Sequence, residues 1–261
     1  MNDYIRYSIV EYAWHQFLYG YNGDERSLFL KGMIERFPVK LDSEEPAAIY
    51  IDDFSLPVAS ILEKCNNYQI MAVAREYNSV VLTSAIVEQT LKQIEIDKLN
   101  VRMKKFLYVI NRLSLNPESS EISNIEELLD VLKESKKFYE VEYVKLLSTG
   151  EFQGDINSLR LGFIDLNMFI KYYKRALGMS KHFSIIIDYK GTGALVSLQA
   201  VNGIVTKRCA DDLAMKISCE PQEWKTYYDL NGMLAEYVHD YSVVELDESN
   251  SNYIKKLKVD V

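Results

Sequence analysis

The residues with the most chemical promise lie in Trp14-His15-Gln16-Phe17-Leu18-Tyr19-Gly20-Tyr21-Asn22-Gly23-Asp24-Glu25-Arg26-Ser27, where an apolar run, a glycine turn and an amphipathic run follow one another. Strand, turn and helix in that order bind phosphate when a glycine is followed by four residues, then Gly, Lys and Ser or Thr. Backbone N–H groups cradle the phosphates, the lysine reaches the terminal ones, and the hydroxyl holds Mg²⁺. Gly20 and Ser27 hold the first and last places of that spacing, with Gly23 as an extra glycine between them. Arg26 stands where lysine would be and keeps the charge, but as a broad planar fork in place of a compact ammonium. Glu25 stands where the second glycine would let the backbone approach. A carboxylate about 4 Å from phosphate, at an effective dielectric near 20, costs about 4 kcal/mol unless it points away or pairs with Arg26. The plainer reading of the stretch is a surface turn built on Asn22, Gly23 and Asp24.

A second acid belongs to the same chemistry. Phe183-Ser184-Ile185-Ile186-Ile187-Asp188 is an apolar run ending in a carboxylate, with Gly191 and Gly193 just beyond. An acid at the end of a buried strand helps to hold Mg²⁺, often through water. Ser27 and Asp188 are therefore the candidate metal ligands, and Ser218, closing the run Ala214–Cys219, is a polar group at the end of another strand. Tyr189 follows Asp188, so no neighbouring carboxylate is offered to activate water. Asp52 and Asp53 are adjacent on a strand and point to opposite faces, which excludes shared acid–base work. His15, His182 and His239 lie far apart. Cys65, Cys209 and Cys219 show no metal-binding spacing and no disulfide framework, as expected of a reducing cytoplasm.

These groups need a scaffold. Leu28, Leu30, Met33, Ile34 and Phe37 recur at helical spacing until Pro38, so the glycine turn opens a helix of about three turns. Ala47–Ile51 reads as a buried strand. From Pro57 to Leu113 the apolar residues recur every three or four positions, as in two or more long helices. Residues 114–120 read as a linker. Asn124 caps a further helix with Glu127 in the capping-box position. Residues 148–157 form a loop, Leu166–Leu177 a helix ended by Gly178, and Ala194–Cys209 a helix weakened by Gly203. Strands are expected at Ala214–Cys219 and Ser242–Leu246. Five strands separated by helices predict an α/β layered fold with a mostly parallel sheet and its site at the strands' carboxyl ends.

On the loop from Gly20 to Ser27, the strand ending in Asp188, the strand ending near Ser218 and His239-Asp240-Tyr241 before the last strand, the chain resembles the P-loop NTPases of the AAA+ type. The nearest branch is the origin-recognition-like one found in bacterial multi-gene systems, including phage-defence loci. The resemblance implies a core in two parts, residues 1–56 and 178–261, around a helical insertion over 57–177. It also implies Mg-ATP as cofactor, with Gly20, Gly23, Arg26, Ser27, Asp188 and Ser218 around the nucleotide. The departures at Glu25, Arg26 and Tyr189 imply reduced or lost hydrolysis and a structural or regulatory role. An active atypical ATPase and a helical adaptor that binds no nucleotide are the alternatives.

The rest of the composition limits the partners. The chain has 261 residues, 48% of them hydrophobic, and a net charge of -8, with an isoelectric point near 5.1. An acidic chain has no overall attraction for nucleic acid, and the basic stretch Arg102, Lys104, Lys105 and Arg112 reads as a solvated helix face. No run of about 18 apolar residues suggests a membrane span. About fifteen residues follow Leu246, few for a helical lid. Long amphipathic helices over 57–177 suggest a homo- or hetero-oligomer joined through the insertion.

Overall fold

The computed structural model describes residues 8–20, 23–52, 54–56, 68–113, 121–162, 164–207, 212–220 and 222–246. Five short apolar runs form strands: β1 (His15–Tyr19), β2 (Ala47–Ile51), β3 (Phe183–Asp188), β4 (Leu213–Ser218) and β5 (Tyr241–Glu245). They make one sheet in the order β2-β3-β4-β1-β5. Every neighbouring pair is parallel. Parallel neighbours need crossovers, and the helices supply them: α1 (Gly23–Arg36), α2 (Tyr68–Gln93), α3 (Ile96–Leu113), α4 (Ile125–Thr149), α5 (Leu166–Leu177) and α6 (Leu195–Val205).

Alternation along the strands divides the core between the two faces of the sheet. Leu18, Ala48, Ile186 and Val244 point to one face and pack beneath Phe29, Leu30, Met33 and Phe37, around α1. Leu28, expected on the buried side of α1, is exposed, and Phe29 takes its place, because the inward stripe runs one residue later than the sequence suggests. Phe17, Ile49, Ile185, Met215 and Val243 point to the other face, where one continuous apolar cluster joins them to residues of α2 to α6. The helices between β2 and β3 thus bury their apolar faces on the sheet and on each other. Phe17 also meets Trp224 and Tyr241 edge-on, with ring centroids 5.3 and 4.8 Å apart, which ties the chain after β4 to this face.

Local signals act as expected at several ends. Asn124 Oδ1 accepts the Glu127 N–H at 2.8 Å, while Glu127 reaches back to the N–H and hydroxyl of Ser123. These bonds and Arg160 hold the Glu127 carboxyl down to a pKa of about 2. Gly178, in the left-handed region, ends α5. The helix expected over 194–209 is the shorter α6. Among the described residues α2 alone is long and apolar enough to cross a membrane, and 72% of its apolar window is buried inside the fold. Pro57, the linker at 114–120, Asp53, Cys65, Cys209 and the tail beyond Leu246 lie outside the described residues.

Residues 8–14 cross the lower half of the α1 face, over a polar patch. The fully buried Lys216 donates from Nζ to the carbonyls of Tyr12 (2.6 Å) and Trp14 (2.7 Å) and to Gln16 Oε1 (2.7 Å). The Val10 carbonyl accepts from the Ser184 hydroxyl at 2.9 Å and from His182 Nε2 at 3.0 Å, so Nε2 carries the proton. Burial, then the nearby Lys216, lowers the His182 pKa to about 4, and the same two causes lower that of His15 to about 4. Both rings are neutral in the fold but take a proton near pH 6.5 once unfolded. Their contribution is therefore present above pH 6.5 and is lost as pH falls toward 4. Stability should drop across that window by up to about 1.4 kcal/mol per pH unit for each ring. His182→Gln, which keeps a donor for Val10, should roughly halve the slope in urea denaturation series.

Candidate functional site

Four elements bring their residues to the carboxyl edge of the sheet. Asp188 ends β3 and lies in register with Ser218 at the end of β4, both on the α1 face. Tyr50 pairs with Ile186, two residues before Asp188, and so stands diagonally beside the acid. The first turns of α1 bring Arg26 and Ser27 over these strand ends. One guanidinium nitrogen and two hydroxyls meet on one carboxylate. Arg26 Nε donates to Asp188 Oδ1 at 3.0 Å, while the Ser27 hydroxyl donates to Oδ2 and Tyr50 OH donates to the same oxygen at 2.9 Å. Arg26 Nη2 also donates to the Tyr189 carbonyl at 3.1 Å, and Nη1 lies 3.6 Å from Glu220 Oε1.

The site is dry. Asp188 is 0% exposed and Arg26 6%. Burying an ionised carboxylate is costly unless a counter-charge and hydrogen bonds replace water. Arg26 supplies the charge, and Ser27 and Tyr50 supply further donors. Tyr50 holds its proton as a donor because burial, then its bond to Asp188, raises its pKa. On α1 the spacing is simple: Arg26 and Ser27 are consecutive and both turn inward, while Glu25 before them is exposed. The repulsion expected between Glu25 and phosphate is therefore removed by direction.

The remaining sequence candidates sit close by. Gly23 opens α1. Gly20 ends β1 with φ +133°, and a Cβ there would lie 1.9 Å from the Leu246 carbonyl oxygen, so the glycine is required for the close passage of the chain leaving β5. Ser218 accepts the Tyr189 N–H on its carbonyl at 2.9 Å, and its own buried Oγ has no partner among the described residues. Next to it, burial raises the pKa of the Cys219 thiol, which leaves it protonated and unreactive. Tyr50 and Glu220 were not singled out by sequence. The alternation of Ala47–Ile51 puts Tyr50 on the face opposite Ile49 and Ile51, which is the one signal that pointed to it.

Mg-ATP does not fit these residues as they stand. Both oxygens of Asp188 already accept donors, Ser27 directs its proton at the acid, and the guanidinium holds the position between Asp188 and Glu220. Among the described residues no three His, Cys, Asp or Glu side chains gather as a metal site. Arg26, Ser27 and Tyr50 must give way before a cation can replace them on Asp188. The chain matches no protein-family model and no curated protein by sequence.

The pairing has a measurable consequence. Removing one member leaves a buried charge alone, which costs about 3–5 kcal/mol. Arg26→Met and Asp188→Leu should each destabilise the protein by about that amount, and the double variant by clearly less than the sum, in a double-mutant cycle read by urea denaturation.

Proposed function

We propose that the chain is a P-loop NTPase-like protein whose nucleotide site is degenerate and closed by its own arginine, and that it works as a structural or regulatory subunit of a larger assembly. The observation that carries this reading is the Arg26–Asp188 pair, with Ser27 and Tyr50 on the same carboxylate. In an active site of the resembled kind, a lysine, a hydroxyl and an acid would face phosphate and Mg²⁺. Here the corresponding three groups face one another. A strand, a glycine and a helix in sequence at the interior strand β1, with the acid two strands away in an all-parallel sheet, supports the NTPase-like part.

Loss of catalysis follows from the same residues. Tyr189 stands beside Asp188 where a base would be needed, and its phenol is buried, which raises its pKa. A protein with this core and no turnover acts through its surface. The helical layer over 68–177 is the proposed contact surface, where Val141 and Val144 lie exposed one turn apart on α4.

Titration calorimetry with Mg-ATP tests the reading. The natural protein should bind weakly or not at all, and sub-micromolar binding would overturn the closed site. Arg26→Lys combined with Glu25→Gly, which reopens the loop, should strengthen binding by at least about tenfold, ~1.4 kcal/mol. Under a purely adaptor role the double change alters nothing. Because Glu25 is exposed, Arg26→Lys alone should give most of the gain.

A further inference from the structure

A cavity of about 630 Å³ opens in the helical layer. None of the residues around Asp188 contributes to its wall, so it is a separate site. Its volume falls in the range that holds small molecules. One wall is a face of α2 on which Arg75 and Ser79 stand one turn apart, flanked by Glu76 and Asn78. Asp165, which caps α5, the last turn of α6 and the turn at 229–233 complete the enclosure.

Two polar groups on α2 are buried more deeply than their partners justify. Glu76 is 7% exposed, yet its counter-ion Arg75, 3.3 Å away, has a side chain 57% exposed to solvent. Its other oxygen has only a long contact, 3.4 Å, from the Ile164 N–H. Burial accordingly raises the Glu76 pKa in spite of Arg75. Asn78 is 2% exposed, and its Nδ2 donates to the Ala74 carbonyl at 2.8 Å. That bond fixes the amide, since the reversed orientation would set two oxygens together. Asn78 Oδ1 is then a buried acceptor with no donor among the described residues.

The charge around the cavity has one dominant sign. Glu76, Asp165 and Asp229 face Arg75 and Lys207, and Arg75 is already engaged by Glu76. Asp165 and Asp229 each use an oxygen to accept backbone N–H groups, at 2.8 Å in each case. A ligand that brings positive charge answers the excess of acids, whereas an anion adds to it. Leu166, Ile204 and Met233 give the remainder an apolar lining.

We infer that this cavity binds a small organic ammonium compound, its cationic head between Glu76 and Asp165 and its carbon body against Leu166, Ile204 and Met233. Titration calorimetry on the full chain at low salt tests it, with cadaverine, spermidine and phenethylamine as probes and 1-pentanol and phenethyl alcohol as uncharged matches. At least one amine should bind saturably, and the matched alcohol about tenfold or more weaker, the worth of a charged hydrogen bond. Glu76→Gln should weaken the amine by a similar factor. Lys207→Glu, at the exposed rim, should tighten it, and this change does not depend on a buried substitution being tolerated. Arg26→Lys, at the other site, should leave amine affinity within about twofold. Failure of all three amines to bind, equal binding of the alcohols, or no response to Lys207→Glu would each overturn the inference.

Discussion

Asp188 is a carboxylate with no access to water, and the carboxyl edge of the sheet is arranged around its need for compensation. An isolated ion there would be neutralised or expelled. The chain meets the need from two places distant in sequence: the start of α1 gives Arg26 and Ser27, and β2 gives Tyr50. The pair ties the first turns of α1 to the end of β3. Phe29, Leu30, Met33 and Phe37 then fall over the strands as a block.

The two faces of the sheet are held by different means. The α1 face is thinly covered, and polar contacts take over where apolar ones run out, with Lys216, His182 and Ser184 gripping the carbonyls of residues 10–14. The opposite face is a thick helical layer that shares one apolar cluster with the strands. Gln89 of α2 also brackets the edge strand β2, accepting the Tyr50 N–H and donating to the Tyr50 carbonyl at 3.3 and 2.8 Å. That bracket covers part of an otherwise open edge and steadies the strand that carries Tyr50.

Much of this was legible in the residues, and the rest was not for definite reasons. Each strand is a short apolar run bounded by turn formers, so β1 to β5 fall where alternation and punctuation put them, and Asn124 and Gly178 mark helix ends by chemistry local to a few residues. Leu28 and Phe29 were exchanged because two adjacent apolar residues give the helical period no means of choosing between them. At Arg26 the residue type showed that charge was kept but not where it points, and only the β3–β4 register and the approach of α1 set it on Asp188. Tyr50 and Glu220 join the site through the same long-range pairing. Gly20 fits the phosphate-loop spacing, and its observed constraint is the passage of Leu246, which no local pattern encodes.

The central claim is that the Arg26 guanidinium is held on Asp188 in place of phosphate and metal. The most direct measurement is the ¹⁵Nε–¹Hε resonance of Arg26 by nuclear magnetic resonance, assigned by Arg26→Lys, followed for solvent exchange with and without excess Mg-ATP. A buried, doubly engaged guanidinium should give a shifted, slowly exchanging Nε proton that Mg-ATP leaves unchanged. A rapidly exchanging signal, or one that Mg-ATP moves in a saturable way, would contradict the closed site.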